Sequence, residues 1–153
     1  MVCQSFPTPP LTYDSKLGPF PNFIAEFSGL WFVSDAFKCF AESIDIGGFE
    51  FAPCDTSKIV INGEQPIMWV CDLKRVGDFL DEANSVDIKI VEEAPGWRSL
   101  LPLSYSRIAV RRDRLGEGAH VFGIVESVEK YCDEHFKTAF KAARLGPLTF
   151  TSA

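Results

Sequence analysis

Two stretches of this chain, 99 residues apart, carry the same plan. In the first, Phe37, Phe40, Ala41 and Ile44 recur at i, i+3, i+4 and i+7, the spacing of a helix with one buried face. Ser34 stands where an N-cap belongs, and Asp35 follows where a negative charge complements the helix dipole. Gly47-Gly48 stops this helix, and Phe49-Glu50-Phe51 begins a strand. In the second stretch, a helix over 133–144 sets Phe136, Ala139, Phe140 and Ala143 on one face. Gly146-Pro147 stops it, and residues 148–151 read as a closing strand. Phe37-Lys38 matches Phe136-Lys137, Asp35 matches Glu134, and Ile46 matches Leu145. Phe49 and Phe51 match Leu148 and Phe150. Any two helix–stop–strand units share part of this plan. Spacing held through helix, stop and strand nevertheless points to a duplicated unit stacked around one core. Two copies are fewer than a solenoid needs. The 14 phenylalanines among 153 residues make that core aromatic.

Outside these two stretches the pattern predicts strands over 30–33, 67–73, 86–91, 107–115 and 120–125. A middle helix is expected over 74–83, with Val76, Phe79, Leu80 and Ala83 as its stripe. Lys74, Arg75, Asp78, Asp81 and Glu82 would fall on its solvent side. Residues 92–105 read as irregular, with Pro95-Gly96 and Pro102 as turn signals. Residues 1–22 hold Pro7, Pro9, Pro10, Pro19 and Pro21, a density that forbids regular hydrogen bonding. They read as a proline-rich arm packed on the body, which occupies 23–153 as a single compact domain. The expected fold is therefore mixed α/β (α+β), with a mixed sheet, about three helices and the duplicated helix–strand unit.

Composition narrows function. A net charge of −6 and a pI near 4.9 disfavour nucleic acid and anionic membrane, which require a basic surface. The interrupted basic run Arg107, Arg111, Arg112 and Arg114 reads better as a charged edge strand. The same acidity suits a partner protein with a basic surface. The start of the chain lacks a charged, apolar leader, and no run approaches the ~20 apolar residues of a membrane helix, so the cytoplasm is the expected location. Five cysteines without a CxxC pair suggest reduced thiols rather than a disulfide or zinc framework.

Nucleotide-loop, metalloprotease and serine-hydrolase motifs are all missing, and no cofactor or metal is expected. Cys132 with His135 is the one arrangement that suggests a small cysteine-dependent enzyme, but it lacks an orienting third group. The favoured class is a non-enzymatic protein-binding domain. Trp97 and Arg98, in an irregular segment, are the residue types that anchor interfaces, although Trp97 could equally fold back into the core. Asp78, Asp81, Glu82, Glu92 and Glu93 would supply an acidic surface around them. A structural adaptor or homodimer is the alternative class.

Three segments resemble the eleventh immunity-protein family of bacterial polymorphic-toxin systems, formerly a domain of unknown function. The first is Val33-Ser-Asp-Ala-Phe-Lys38 followed by Gly48-Phe-Glu-Phe-Ala-Pro53. The second runs from Met68 through Trp69, Cys71, Asp72 and Phe79 to Asp81. The third joins His120-Val-Phe-Gly-Ile124, Cys132-Asp-Glu-His-Phe-Lys137 and Leu145-Gly-Pro-Leu-Thr-Phe150. The usual family pattern has Asn where Asp72 stands and Ser, ahead of the last helix, where Cys132 stands. The resemblance covers most of residues 30–150 and leaves out the proline-rich start. It implies a protein that binds and neutralises a cognate toxin, and it carries no catalytic residues.

Overall fold

The computed structural model describes residues 8–18, 20, 23–27, 29–146 and 148–150. Its first sheet is antiparallel, built from β1 (Phe23–Phe27), β2 (Leu30–Ser34), β3 (Phe49–Pro53) and β4 (Met68–Leu73), in the order β1-β2-β4-β3. A second sheet holds β5 (Val76–Gly77), β8 (Val121–Ile124) and β9 (Lys130–Cys132), in the order β5-β8-β9. A long hairpin joins β6 (Val86–Ala94) to β7 (Trp97–Arg107). The helices are α1 (Asp35–Ile44), the single turn α2 (Arg112–Leu115) and α3 (Glu134–Ala143). The described residues thus form an α+β fold of three helices and nine strands in small sheets.

The two long helices obey the repeat. Each has 10 residues. Each is capped by a side chain that accepts from the backbone N–H three residues on, Ser34 from Phe37 and Asp133 from Phe136. The second cap is therefore the Asp133 carboxylate, while Cys132 ends β9. Their aromatic faces meet, with ring centroids 5.4 Å apart for Phe40–Phe136 and 6.2 Å for Phe37–Phe140. Phe37 and Phe136 are 0% and 1% exposed, and each such burial stabilises by about 1.5–3 kcal/mol. Trp31, Val33, Phe49, Cys71 and Leu73 of the first sheet close this core from below. The copies diverge after the helix. Arg144 turns the second chain with a left-handed φ of 52°. Residues 148–150 do not form the expected closing strand, although Phe150 still packs edge-on to Phe140. Pro147 and Thr151 lie outside the described residues.

Asp45, at the end of α1, is 1% exposed. It accepts from Arg75 Nη1 at 2.8 and 2.7 Å and from the backbone N–H groups of His120 and Val121, both at 2.8 Å. Arg75 Nη1 also donates to the Val121 carbonyl at 2.9 Å. One carboxylate thus joins α1 to β8 and to the link between β4 and β5. Gly48 is small because of it: a Cβ there would lie 2.7 Å from Asp45 Oδ1.

The expected helix over 74–83 does not form. Val76 instead pairs with Gly123 in a parallel bridge, the Val125 N–H donates to the Gly77 carbonyl, and Leu80 bridges Val110. The stripe is broken too, since Leu80 is 1% exposed while Val76 is 53%. Gly77 weakens a helix by about 1 kcal/mol relative to alanine, and here the Phe79 ring lies against it. Residues 92–105 are not irregular. The Pro95-Gly96 turn, with Gly96 at a φ of 78°, closes the β6–β7 hairpin directly, pairing Ala94 with Trp97. The predicted strand over 107–115 shrinks to the Val110 bridge and gives way to α2. A second core lies under the hairpin, where Leu100 meets Leu80, Phe122 and Ile124, with Ile88 and Ile90 packed alongside.

Of the proline-rich segment, residues 1–7, 19, 21 and 22 lie outside the described residues. Pro10 forms a parallel bridge with Asp55, with Leu11 N–H donating to the Asp55 carbonyl and Asp55 N–H to that of Pro9.

Two stability predictions follow from these contacts. Asp45→Ala should cost about 3–5 kcal/mol in urea unfolding, because it strands a half-buried guanidinium and two backbone donors. Asp133→Ala should cost about 1 kcal/mol near neutral pH. Burial opposes ionisation of Asp133, but the Phe136 N–H and His120 outweigh it and hold the carboxyl below its usual range. A lowered folded-state pKa stabilises above the unfolded-state value and ceases to do so as pH falls through the folded one. The gap between wild type and Asp133→Ala should therefore close in acid unfolding below about pH 4.

Candidate partner-binding surface

The β6–β7 hairpin has one face on the protein and one in solvent. Alternation along the strands sends Ile88, Ile90 and Leu100 into the second core. Leu101, 46% exposed and opposite Lys89, falls on the outer face. Trp97, at the turn, is 67% exposed. The register then breaks. Between the Ile88–Pro102 and Val86–Arg107 pairs, Asp87 alone faces residues 103–106. Asp87 takes up the mismatch with a φ of 51°. The long side of this bulge carries Leu103, 54% exposed, and Tyr105, 88% exposed. Leu103 and Tyr105 keep the alternation of Leu101, and with the pairing lost here they stand more exposed than it does.

A cleft of about 400 Å³ opens beside the hairpin turn, lined by Pro95, Gly96, Trp97, Arg98, Val125 and Glu126. Arg98 shares the strand parity of Leu100, so it projects towards the body. Its guanidinium pairs with Glu82 and lies 3.6 Å from Glu126 Oε1. Glu126 is placed there by its own backbone, whose carbonyl accepts from the Leu100 N–H at 2.6 Å.

The sequence-predicted surface residues separate into two groups. Glu82, Glu92, Trp97 and Arg98 gather at the hairpin turn, where Glu92 accepts from the Gly96 N–H at 3.1 Å. Glu93 is an exposed residue of β6 near the same turn. Asp78 is instead engaged by Arg111 and Arg114. Asp81 accepts from both the backbone and the side chain of Asn84, which holds its carboxyl below the usual range. Neither stands on a helix face, because the helix is not there. Sequence reasoning missed Glu126, Leu101, Leu103 and Tyr105. The alternation through Leu101, Leu103 and Tyr105 was the available signal, hidden by Pro102. Burial of Glu126 had no local signal.

The thiol–imidazole arrangement is poorly suited to nucleophilic chemistry. Burial pushes the Cys132 thiol up to about 11, which leaves little thiolate at neutral pH. His120 Nδ1 is 2.8 Å from Asp133 Oδ2, and its ring lies 4.6 Å from that of His135. Among the described residues, no three His, Cys, Asp or Glu side chains gather so as to hold a metal ion. No described helix is long and apolar enough to cross a membrane.

Thiol labelling checks this arrangement. In a Cys3→Ser background, iodoacetamide at neutral pH should reach the exposed Cys39 first. Cys132 and Cys54, both pushed by burial to about 11, should follow slowly, and Cys71, pushed to about 12, last. Rapid, selective modification of Cys132, read by mass spectrometry, would contradict it.

Comparison with curated proteins gave no match, and neither did comparison with solved structures. The family described as Immunity protein family (Imm11) matches residues 3–153. The match takes in the proline-rich segment that the resemblance left out, as well as both helices, the hairpin and the cleft. By a match over essentially its whole length, this chain belongs to the immunity protein family Imm11.

Proposed function

We propose that this protein binds a cognate bacterial toxin and neutralises it by occlusion, without chemistry of its own, in the cytoplasm of the protected cell. Family membership supports an immunity role in general. The observation that supports this surface is the outward apolar set Trp97, Leu101, Leu103 and Tyr105 on one hairpin. Exposed apolar groups of this size, beside acids, are what an interface with an apolar centre and a polar rim requires. Glu82, Glu92 and Glu93 form that rim, and Arg98 is held at its edge by Glu82. Asp78 and Asp81, grouped with Arg111, Arg114 and Asn84 rather than at the hairpin turn, contribute field rather than contact.

The net charge of −6 favours a toxin with a basic face. It counts against nucleic acid and anionic membrane as partners. The same apolar face favours one other reading, a homodimer closed through the two hairpins. Light scattering separates the two: a monomer at all concentrations removes the homodimer.

The direct test is co-expression with the product of the gene next to this one, reading growth rescue and co-purification. Growth arrest with no complex, from a folded protein, would remove the reading. Within the complex, Trp97→Ala and Tyr105→Ala should each weaken binding by about 2 kcal/mol or more. Reversing Glu92 and Glu93 to Lys should chiefly slow association and flatten its salt dependence. These positions are exposed, so Tm should change little.

A further inference from the structure

Glu126 is 7% exposed. Its Oε1 has a long ion pair with Arg98, and its Oε2 is buried with no hydrogen-bond partner. Buried carboxylate oxygens normally accept from two or more donors, so a bare one needs an explanation. The local charges do not balance either. Arg98 is shared between Glu82 and Glu126, two carboxylates against one guanidinium. The residue that carries this excess lines an open cleft rather than a sealed void. Trp97 stands at the same cleft with most of its indole in solvent, and Pro95 and Val125 supply apolar wall.

We propose that this cleft receives an arginine side chain of the partner protein. The proposal rests on the toxin-binding reading and names the chemistry at its centre. The guest guanidinium donates to the Glu126 carboxylate, which turns its buried Oε2 from the wall into the cleft, and so cancels the excess negative charge. Its planar face lies against Trp97, where a cation is attracted by the ring quadrupole. Its methylene stem is covered by Pro95 and Val125. Arginine suits the place better than lysine, because it is less strongly hydrated and its fork can engage Glu82 and Glu126 together. Arg98 then acts as a fixed spacer between those two carboxylates, and the unmet acceptor of the free protein becomes the recognition element of the complex.

The test uses the full chain in two arms. In the first, N-acetyl-arginine amide is titrated by two-dimensional NMR, with the uncharged isostere N-acetyl-citrulline amide as control. Saturable shifts are expected at the Trp97 indole N–H and the amides of 124–127 with arginine and not with citrulline. Glu126→Gln should weaken the response at least tenfold, and so should Trp97→Ala. Equal responses to both ligands, no saturable response, or indifference to both substitutions would overturn the proposal. In the second arm, Glu126→Gln should weaken the complex with the neighbouring toxin at least tenfold while leaving the Tm of the free protein unchanged or raised. A role confined to folding would lower Tm instead. Undiminished toxin binding by Glu126→Gln would overturn the arginine site and leave the toxin-binding reading intact. A wild-type protein that binds arginine amide but not the toxin would do the reverse.

Discussion

A carboxylate withdrawn from water must be supplied with donors, and Asp45 collects them from two distant parts of the chain. It closes α1, grips Arg75 beyond β4, and accepts the first two N–H groups of the β8 segment. Those segments lie 30 to 76 residues away in sequence. Among the described residues, these bonds tie α1, which lies over the antiparallel sheet, to β8 of the second sheet. Their relative placement therefore depends on this cluster together with the apolar core. A pair of this kind adds little to stability compared with a packed apolar substitute, yet it tolerates very few arrangements. Directionality rather than strength is what it contributes.

Around that fixed point the aromatic core can be loose in chemistry and still hold. Phe37, Phe40, Phe136 and Phe140 form a cluster of edge-on and stacked rings between the two long helices. The two helices use one design: a polar cap three residues ahead of a Phe N–H, an acidic first turn, and an aromatic stripe. They part company at the C-terminal end. There the first copy carries the buried Asp45, and the second turns out through Arg144. The two similar helices provide a scaffold, and the first ends in the ion pair that orients the rest.

The hairpin divides its two faces between packing and solvent. One face closes the smaller core over Leu80, Phe122 and Ile124, and the other meets solvent. The unequal bulge opposite Asp87 and the tight Pro95-Gly96 turn concentrate exposed apolar area at both ends of β7. An unpaired acceptor and a half-bare tryptophan beside it are local costs that folding alone does not require. Costs retained at one place on a stable scaffold are the usual mark of a surface shaped for a partner. That agrees with membership of a family of immunity proteins.

The sequence by itself determined the two long helices, the strands on either side of the first, and the acidic balance. Those features are written in local terms: apolar spacing of 3.6 or 2, a cap residue, a glycine stop. It also carried the family resemblance, whose motifs sit on the same packing elements. The tertiary structure decided the rest. Val76, Phe79, Leu80 and Ala83 satisfy a helical period, but the first three find backbone partners among residues 110–123, which no local window contains. Pro102 reads as a break until its strand proves to have a free side, where a missing N–H costs little. Asp45, Glu82 and Glu126 look alike as acidic residues in turns. One became a structural joint, one an exposed ion pair, and one a buried acceptor without a donor, because burial and partnership are properties of where distant segments meet.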